Sequence, residues 1–386
     1  MNDTIRPLIE VLMYVSIRTL ACTIPLTLAL LGCKPEVEPD PEVECTAESE
    51  LSDASVFGRF YFDADGADSS RYASEYDASG DAPLAETTVQ LIGAQETMET
   101  TTCDDGTFSF DSLEDGAYVL NPTFPDSNCL QRNCPQRFPA AVMEGNVKLV
   151  TVGDSVPVIG DAPMFPDRLA TLIGDLAEVE NTNIAVAGSL STQWTPGTSN
   201  FDSKLAPHIE DADVIIISVG GNDITNSLDA SALMDIDQAI EDTYALVADI
   251  AGNIRLMVEE IREQNPDVDI VYCLYVDYGM ATISPWGLLA NFVPEGTVTN
   301  ILASARDQVP SDKNIILADL FGASHTLENP LDDYLYDSLH FNDQGQTMYA
   351  QEVFESLGGV LIGESPLGGD PQTPLNTRPM WSFEAN

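Results

Sequence analysis

The stretch VKLVTVGDSVPVIG (residues 147–160) decides how the rest of the chain is read. Its first half, VKLVTV, is a largely continuous apolar run rather than an alternating one, as expected of a strand covered on both faces. The run stops at Gly153-Asp154-Ser155, which is turn chemistry. A serine at the end of a buried strand is either a nucleophile or a hydroxyl that completes a turn. One strand end does not separate these readings. A base, an orienting acid and donors for an oxyanion must therefore be sought elsewhere in the chain.

Four more apolar runs follow: NIAVAG (183–188), DVIIISVGG (213–221), VDIVYCLYVD (268–277) and KNIILADL (313–320). Between them lie helical segments. The clearest is predicted over 235–264, where Ile236, Ile240, Tyr244, Val247, Ile250, Ile254, Met257 and Ile261 step by three and four until Asn265-Pro266-Asp267 stops them. Strands alternating with helices predict a three-layer α/β architecture with a parallel sheet, whose ligands gather at the C-terminal strand ends.

Those ends carry the unusual residues. The first ends at Asp154-Ser155, the second at AVAGSLS (185–191) with Gly188 at the mouth, and the third at SVGGNDIT (218–225) with Asn222. Near the C-terminus, DYLYDSLHFNDQG (333–345) places Asp337 three residues before His340. This set resembles the SGNH, or GDSL-type, hydrolases over residues 147–364, with the blocks in the family's order. The resemblance implies a flavodoxin-like α/β/α sheet and a serine esterase working without a cofactor. It implies Ser155 as nucleophile, and an oxyanion hole made of the backbone N–H groups of Ser155 and Gly188 with the side-chain amide of Asn222. A serine hydroxyl needs a neighbouring base, and His340 can take and return its proton. Asp337 can hold the other ring nitrogen. Of the three histidines, His208 precedes the third strand and His325 has no aspartate three residues before it, which leaves His340 as the base.

The chain departs from the family pattern at several points. Val156 stands where the family name expects Leu, Ala187 precedes Gly188, GSLST replaces a glycine-repeated turn, and Phe341-Asn342 follows the histidine. These bear on substrate shape rather than on the reacting groups. The segment 278–296 follows the fourth strand; Met280, Trp286, Leu288 and Phe292 there would suit an acyl chain or simply fill the core.

Residues 54–125 read differently. Short Val-, Phe-, Tyr- and Thr-rich runs separated by Gly, Asp and Asn turns predict a smaller all-β domain. The stretch from Asp105 to Tyr118, DGTFSFDSLEDGAY, resembles carboxypeptidase-regulatory and SdrD B-like sandwiches, which implies an Ig-like spacer or surface-associated module. Asp63, Asp65 and Asp68 of DADGAD offer oxygen ligands for Ca²⁺. The twelve-residue loop spacing with a terminal glutamate is missing, so a solvated acidic loop is the reading.

The N-terminus is expected to be removed. TLACTIPLTLALLG (19–32) is too short for a comfortable membrane span and is laid out like a secretory signal. Leu30-Leu31-Gly32-Cys33 resembles a bacterial lipobox, which implies acylation of Cys33; a start at Met13 would give a compact signal of that kind. Residues 33–53 then form an acidic, Pro-rich tether, and Lys34 favours outer-membrane or surface placement in the cell envelope. In an oxidising compartment Cys129 and Cys134 would close a small loop within the linker 126–146, and Cys45 with Cys103 is a second candidate bridge. Cys273 reads as a small core hydrophobe. Residues 365–386 read as a flexible tail.

Charge narrows the partners. With 63 acidic and 15 basic residues, the net charge of −48 repels nucleic acid and anionic lipid surfaces. The expected partners are an ester substrate (small acyl, glycan or lipid) and the membrane reached through the N-terminal lipid; oligomeric state is not legible. Two rivals use the same residues: a surface protein whose hydrolase domain is retired, and an envelope acyltransferase in which a hydroxyl replaces water.

Overall fold

The computed structural model describes residues 55–63, 82–123, 146–227, 236–284, 315–327, 329–363, 367 and 380–384. Its α/β part contains β7 (Asn146–Gly153), β8 (Glu178–Asn183), β9 (Val214–Ser218), β10 (Asp269–Cys273) and β11 (Ile315–Ala318). They pair in the order β11-β10-β9-β7-β8, every neighbour parallel. Counted from β7, this is the 2-1-3-4-5 order of a doubly wound sheet, whose switch point lies beside β7. Both β9 and β10 are buried at every position, so helices cover both faces, which is why these strands read as unbroken apolar runs.

The longer helices among the described residues are α1 (Phe165–Gly174), α2 (Gly221–Ser227), α3 (Ile236–Gln264), α4 (Leu320–His325) and α5 (Asp343–Ser356). The periodic run predicted over 235–264 is α3, which buries Val247, Ile250, Ile254, Met257 and Ile261. Asn265 ends it. Its backbone N–H reaches Ile261 O at 2.8 Å, and its side-chain amide donates to Ile209 O and Ala212 O at 2.8 and 2.9 Å. Helices α1 and α5 pack on each other, with the Phe165 and Tyr349 rings 4.4 Å apart.

The second strand differs from the sequence expectation. Strand β8 is the polar run EVENTN rather than NIAVAG, because β8 lies at the sheet edge, where alternate positions face solvent. The apolar residues continue its line. The N–H groups of Ile184 and Val186 each reach a β7 carbonyl (Thr151 and Gly153) at 2.9 Å, delivering the chain to Gly188.

The all-β part has two four-stranded sheets. One holds β1 (Val56–Asp63), β2 (Ala82–Pro83), β5 (Thr107–Phe110) and β13 (Met380–Glu384). The other runs β12-β6-β3-β4, where β3 is Thr88–Gly93, β4 Thr97–Thr101, β6 Gly116–Thr123 and β12 Gly359–Ile362. Two strands therefore come from the far end of the chain. The all-β part is not completed within 54–125, and the tail is not loose throughout: Met380–Glu384 pairs with β1 in parallel. The physical reason is the exposed edge. β1 and β6 each present a row of backbone donors and acceptors that would otherwise be unpaired, and the C-terminal segments fill those rows.

Candidate active site

Ser155 sits one residue past the β7 ladder, which Asp154 extends by donating its N–H to Ser218 O at 3.0 Å. The chain then turns tightly, with the N–H groups of Val158 and Ile159 both reaching Ser155 O. Asp154 Oδ1 accepts the Val156 N–H at 3.0 Å and shapes that turn. Ser155 Oγ lies 2.9 Å from His340 Nε2, and His340 Nδ1 lies 2.8 Å from Asp337 Oδ2. The structure thus brings together the three residues that the sequence placed 185 positions apart at the extremes.

The turn holding His340 is built locally. Asp337 Oδ1 accepts the N–H groups of Leu339 and His340, both at 2.8 Å, so one carboxylate fixes both backbone and ring. Burial raises the Asp337 carboxyl. The hydrogen bonds from His340 and Leu339 and the imidazolium charge outweigh that and hold it below the usual carboxylate range. Tyr336 N–H reaches His340 O at 2.7 Å, and Tyr278, buried beneath, donates its hydroxyl to Leu339 O at 2.6 Å. The departure Phe341-Asn342 finds its reason here. Phe341 is fully buried against Tyr278 and Tyr349, and Asn342 caps α5 by accepting Gly345 N–H at 3.1 Å.

Gly188 and Asn222 lie at the same end of the sheet. Within the described residues no hydrogen bond takes the backbone N–H of Ser155 or Gly188. A Cβ at Gly188 would meet nothing within 4 Å, but φ is +79°, a backbone that side chains resist. Asn222 Nδ2 donates to Ser189 O at 3.1 Å, joining the turns after β8 and β9. Ser189 Oγ donates to Gly153 O at 3.0 Å and accepts from Trp194 Nε1 at 2.9 Å, joining the turns after β7 and β8. Asp223 accepts the Ser191 N–H at 2.8 Å and its hydroxyl at 2.7 Å, and Asn253 donates to that hydroxyl from α3. The serines of GSLST thus replace glycines with anchors.

Several of these groups escaped sequence reasoning. Asp154 and Asp223 stood inside the quoted motifs, so adjacency was an available signal. Ser189, Ser191 and Trp194 had only the unusual GSLST turn, and Tyr275 had none. Tyr275 donates its hydroxyl to Asp154 Oδ2. Burial pushes the Asp154 carboxyl up to about 6, although the bonds from Tyr275 and Val156 and the His340 charge pull the other way. His325 does have an aspartate partner, contributed across the fold: its Nε2 lies 3.2 Å from Oδ2 of the wholly buried Asp277. No spacing rule finds such a pair.

Large apolar side chains exposed among the described residues are Val158, Leu256, Met280, Ile283 and Tyr336. All but Leu256 lie on segments tied to the Ser155 and His340 turns. Val158 belongs to the Ser155 turn, and Tyr336 adjoins Asp337. Met280 and Ile283 follow Tyr278, in a loop held to Asp332 by Thr282 Oγ1 and by Ile283 N–H at 3.2 Å. Met280 is therefore not core, while Trp286, Leu288 and Phe292 lie outside the described residues. So do Cys33, Cys45, Cys129, Cys134, Asp65 and Asp68; Asp63 ends β1. Cys103 is disulfide-bonded, and Cys273 is a free, buried thiol. Among the described residues no group of three His, Cys, Asp or Glu side chains is placed to hold a metal, and no helix is long and apolar enough to cross a membrane.

Residues 151–348, just over half of the chain, match the model of the GDSL-like Lipase/Acylhydrolase family. No curated protein matches. Similar solved structures include a lipase from a goat rumen metagenome (17% identity, 57% of this chain and 100% of that one, TM-score 0.42). Another is an extracellular lipase from Streptomyces rimosus (17%, 54% and 99%, TM-score 0.40). A third is an acetyl xylan esterase from Geobacillus stearothermophilus (15%, 56% and 97%, TM-score 0.37). The matched segment runs from the strand that delivers Ser155 to the helix that follows His340, and the chain belongs to the GDSL-like lipase/acylhydrolase family.

Proposed function

We propose that the protein is an exported, lipid-anchored serine esterase that hydrolyses carboxylic esters through an acyl-enzyme. The observation that carries this reading is the hydrogen-bonded chain from Ser155 Oγ through His340 to Asp337 at the switch point of the sheet. His340 Nε2 takes the hydroxyl proton as Oγ attacks the ester carbonyl, and Asp337 stabilises the imidazolium that forms. The tetrahedral oxyanion is met by the free N–H groups of Ser155 and Gly188 and by the Asn222 amide. As the intermediate collapses, the imidazolium protonates the departing alkoxide. Water then repeats the sequence on the acyl-serine, with His340 again as base.

The exposed Val158, Met280, Ile283 and Tyr336 favour an aliphatic acyl group over a polar one. The family's lipases and esterases make ester or lipid substrates the natural class. Acylation of Cys33, the acidic tether and placement in the cell envelope complete the reading, with the sandwich as spacer. The test is hydrolysis of p-nitrophenyl esters from acetyl to palmitoyl by the purified protein and by Ser155→Ala. Turnover that rises with acyl length and disappears in Ser155→Ala is the expected result. A wild type as inert as the variant on every ester overturns it and leaves a retired or acyl-transferring domain.

A further inference from the structure

Tyr275 has no place in the chemistry just described, yet it touches two of the four turns that carry it. Its hydroxyl donates to Asp154 Oδ2, the oxygen left over after Oδ1 has accepted the Val156 N–H. Its ring lies against Gly221. A Cβ on Gly221 would stand 2.9 Å from Cε1 and Cζ of Tyr275 and 3.2 Å from its oxygen, closer than packed atoms allow. Gly221 opens α2 and directly precedes Asn222. The second glycine of GGND is thus required by Tyr275, whereas the first, Gly220, is required by its own φ of +125°.

One side chain from the end of β10 therefore bears on the Ser155 turn and on the Asn222 turn together. We propose that Tyr275 is a positioning residue for oxyanion binding, holding the Ser155 N–H through Asp154 and the Asn222 amide through Gly221. The proposal rests on the ester-hydrolase reading. The hydroxyl is suited to the task because it stays a donor: burial, reinforced by the adjacent Asp154 charge, holds the phenol well above its usual range. Asp154 is itself buried, so loss of this donor leaves a carboxylate oxygen seeking another partner and frees the turn that it shapes. The oxyanion donors act only in the transition state, so their misplacement is felt in kcat rather than in ground-state binding.

The experiment measures kcat and KM on a single p-nitrophenyl ester for the full-length wild type, Tyr275→Phe, Gly221→Ala, Tyr275→Ala and the Gly221→Ala/Tyr275→Ala double variant. Thermal unfolding is followed alongside. Activity of the wild type that is absent from Ser155→Ala secures the underlying reading independently of Tyr275. Tyr275→Phe is expected to lower kcat by roughly ten- to a hundredfold with KM within about twofold, since small misplacements near reacting groups reach that size. Gly221→Ala is expected to be harmful only while the ring is present, so it lowers kcat in wild type and changes little in Tyr275→Ala. The proposal is overturned by Tyr275→Phe with wild-type kcat, by a rise in KM alone, or by equal effects of Gly221→Ala in both backgrounds.

Discussion

Asp154 shows how one buried residue can be necessary for geometry and unfavourable for stability. Its carboxyl titrates near 6 in the folded protein against an ordinary value near 3.8, mainly because burial disfavours the charge. Between those values the folded state binds more protons than the unfolded one, so the contribution of this group to stability declines as pH rises through 6. Asp154→Asn removes the titration while leaving an oxygen to accept the Val156 N–H. The variant is therefore expected to gain stability relative to wild type as the buffer moves from pH 4 to pH 8. The difference is on the order of 2–3 kcal/mol at most, two pKa units being worth about that. Thermal unfolding of the two proteins at both pH values measures it, and the comparison cancels groups with opposite behaviour such as Asp337. A stability difference that does not change with pH removes the buried-charge account. Tolerating such a charge beside Ser155, the proposed nucleophile, is the pattern of a site built for chemistry rather than for stability.

Among the loops at the sheet's C-terminal end, Asp223 does for the turn after β8 what Asp337 does for the histidine. It receives both polar groups of Ser191, and that serine is in turn held by Asn253 of α3. Asp223→Ala leaves a buried N–H and hydroxyl short of a partner, which costs about 1–3 kcal/mol. It also loosens the segment between Gly188 and Trp194. The expected outcome is a melting temperature lower by a few degrees together with a kcat lower by about tenfold, read by calorimetry and ester hydrolysis. A fall in melting temperature with unchanged kcat would make the link purely structural. The elements themselves were legible where burial dictates pattern: β9, β10 and the long α3 follow from unbroken or helically spaced apolar residues. Strand β8 was misplaced because an edge strand owes its pairing to β7 and not to its own polar side chains. That Ser155, His340 and Asp337 come together was legible, because the proposed chemistry demands particular residue types at strand ends. Tyr275 and the Asp277–His325 pair were not, since a contact between side chains on separate strands and helices leaves no spacing to read.

At the scale of the whole molecule, the all-β part and the α/β part share one sheet. Strands β6 and β12 pair antiparallel, with Leu361 opposite Ala117 and Val360 opposite Tyr118. Alternation then divides their side chains between two cores. Ala117, Val119 and Leu361 belong to the core that surrounds β7, β9 and β10. Tyr118, Leu120, Val360 and Ile362 belong to the core of the all-β part, with Phe60 and Phe108. No linker separates these layers at the shared strands, so neither core can open without stripping one face from the sheet that closes the other. This arrangement was hidden from a reading by consecutive domains, because β12 and β13 return from the end of the chain to an N-terminal module. It predicts one cooperative unfolding transition for both parts. Leu361→Ala, which removes a fully buried side chain, should destabilise by about 2–5 kcal/mol. It should lower the temperature at which ester hydrolysis is lost and the temperature at which the all-β part melts by the same amount. Calorimetry with activity and near-ultraviolet circular dichroism as parallel probes decides the matter. Two separated transitions, with Leu361→Ala moving only one of them, would mean that the shared sheet joins the domains without coupling their stability.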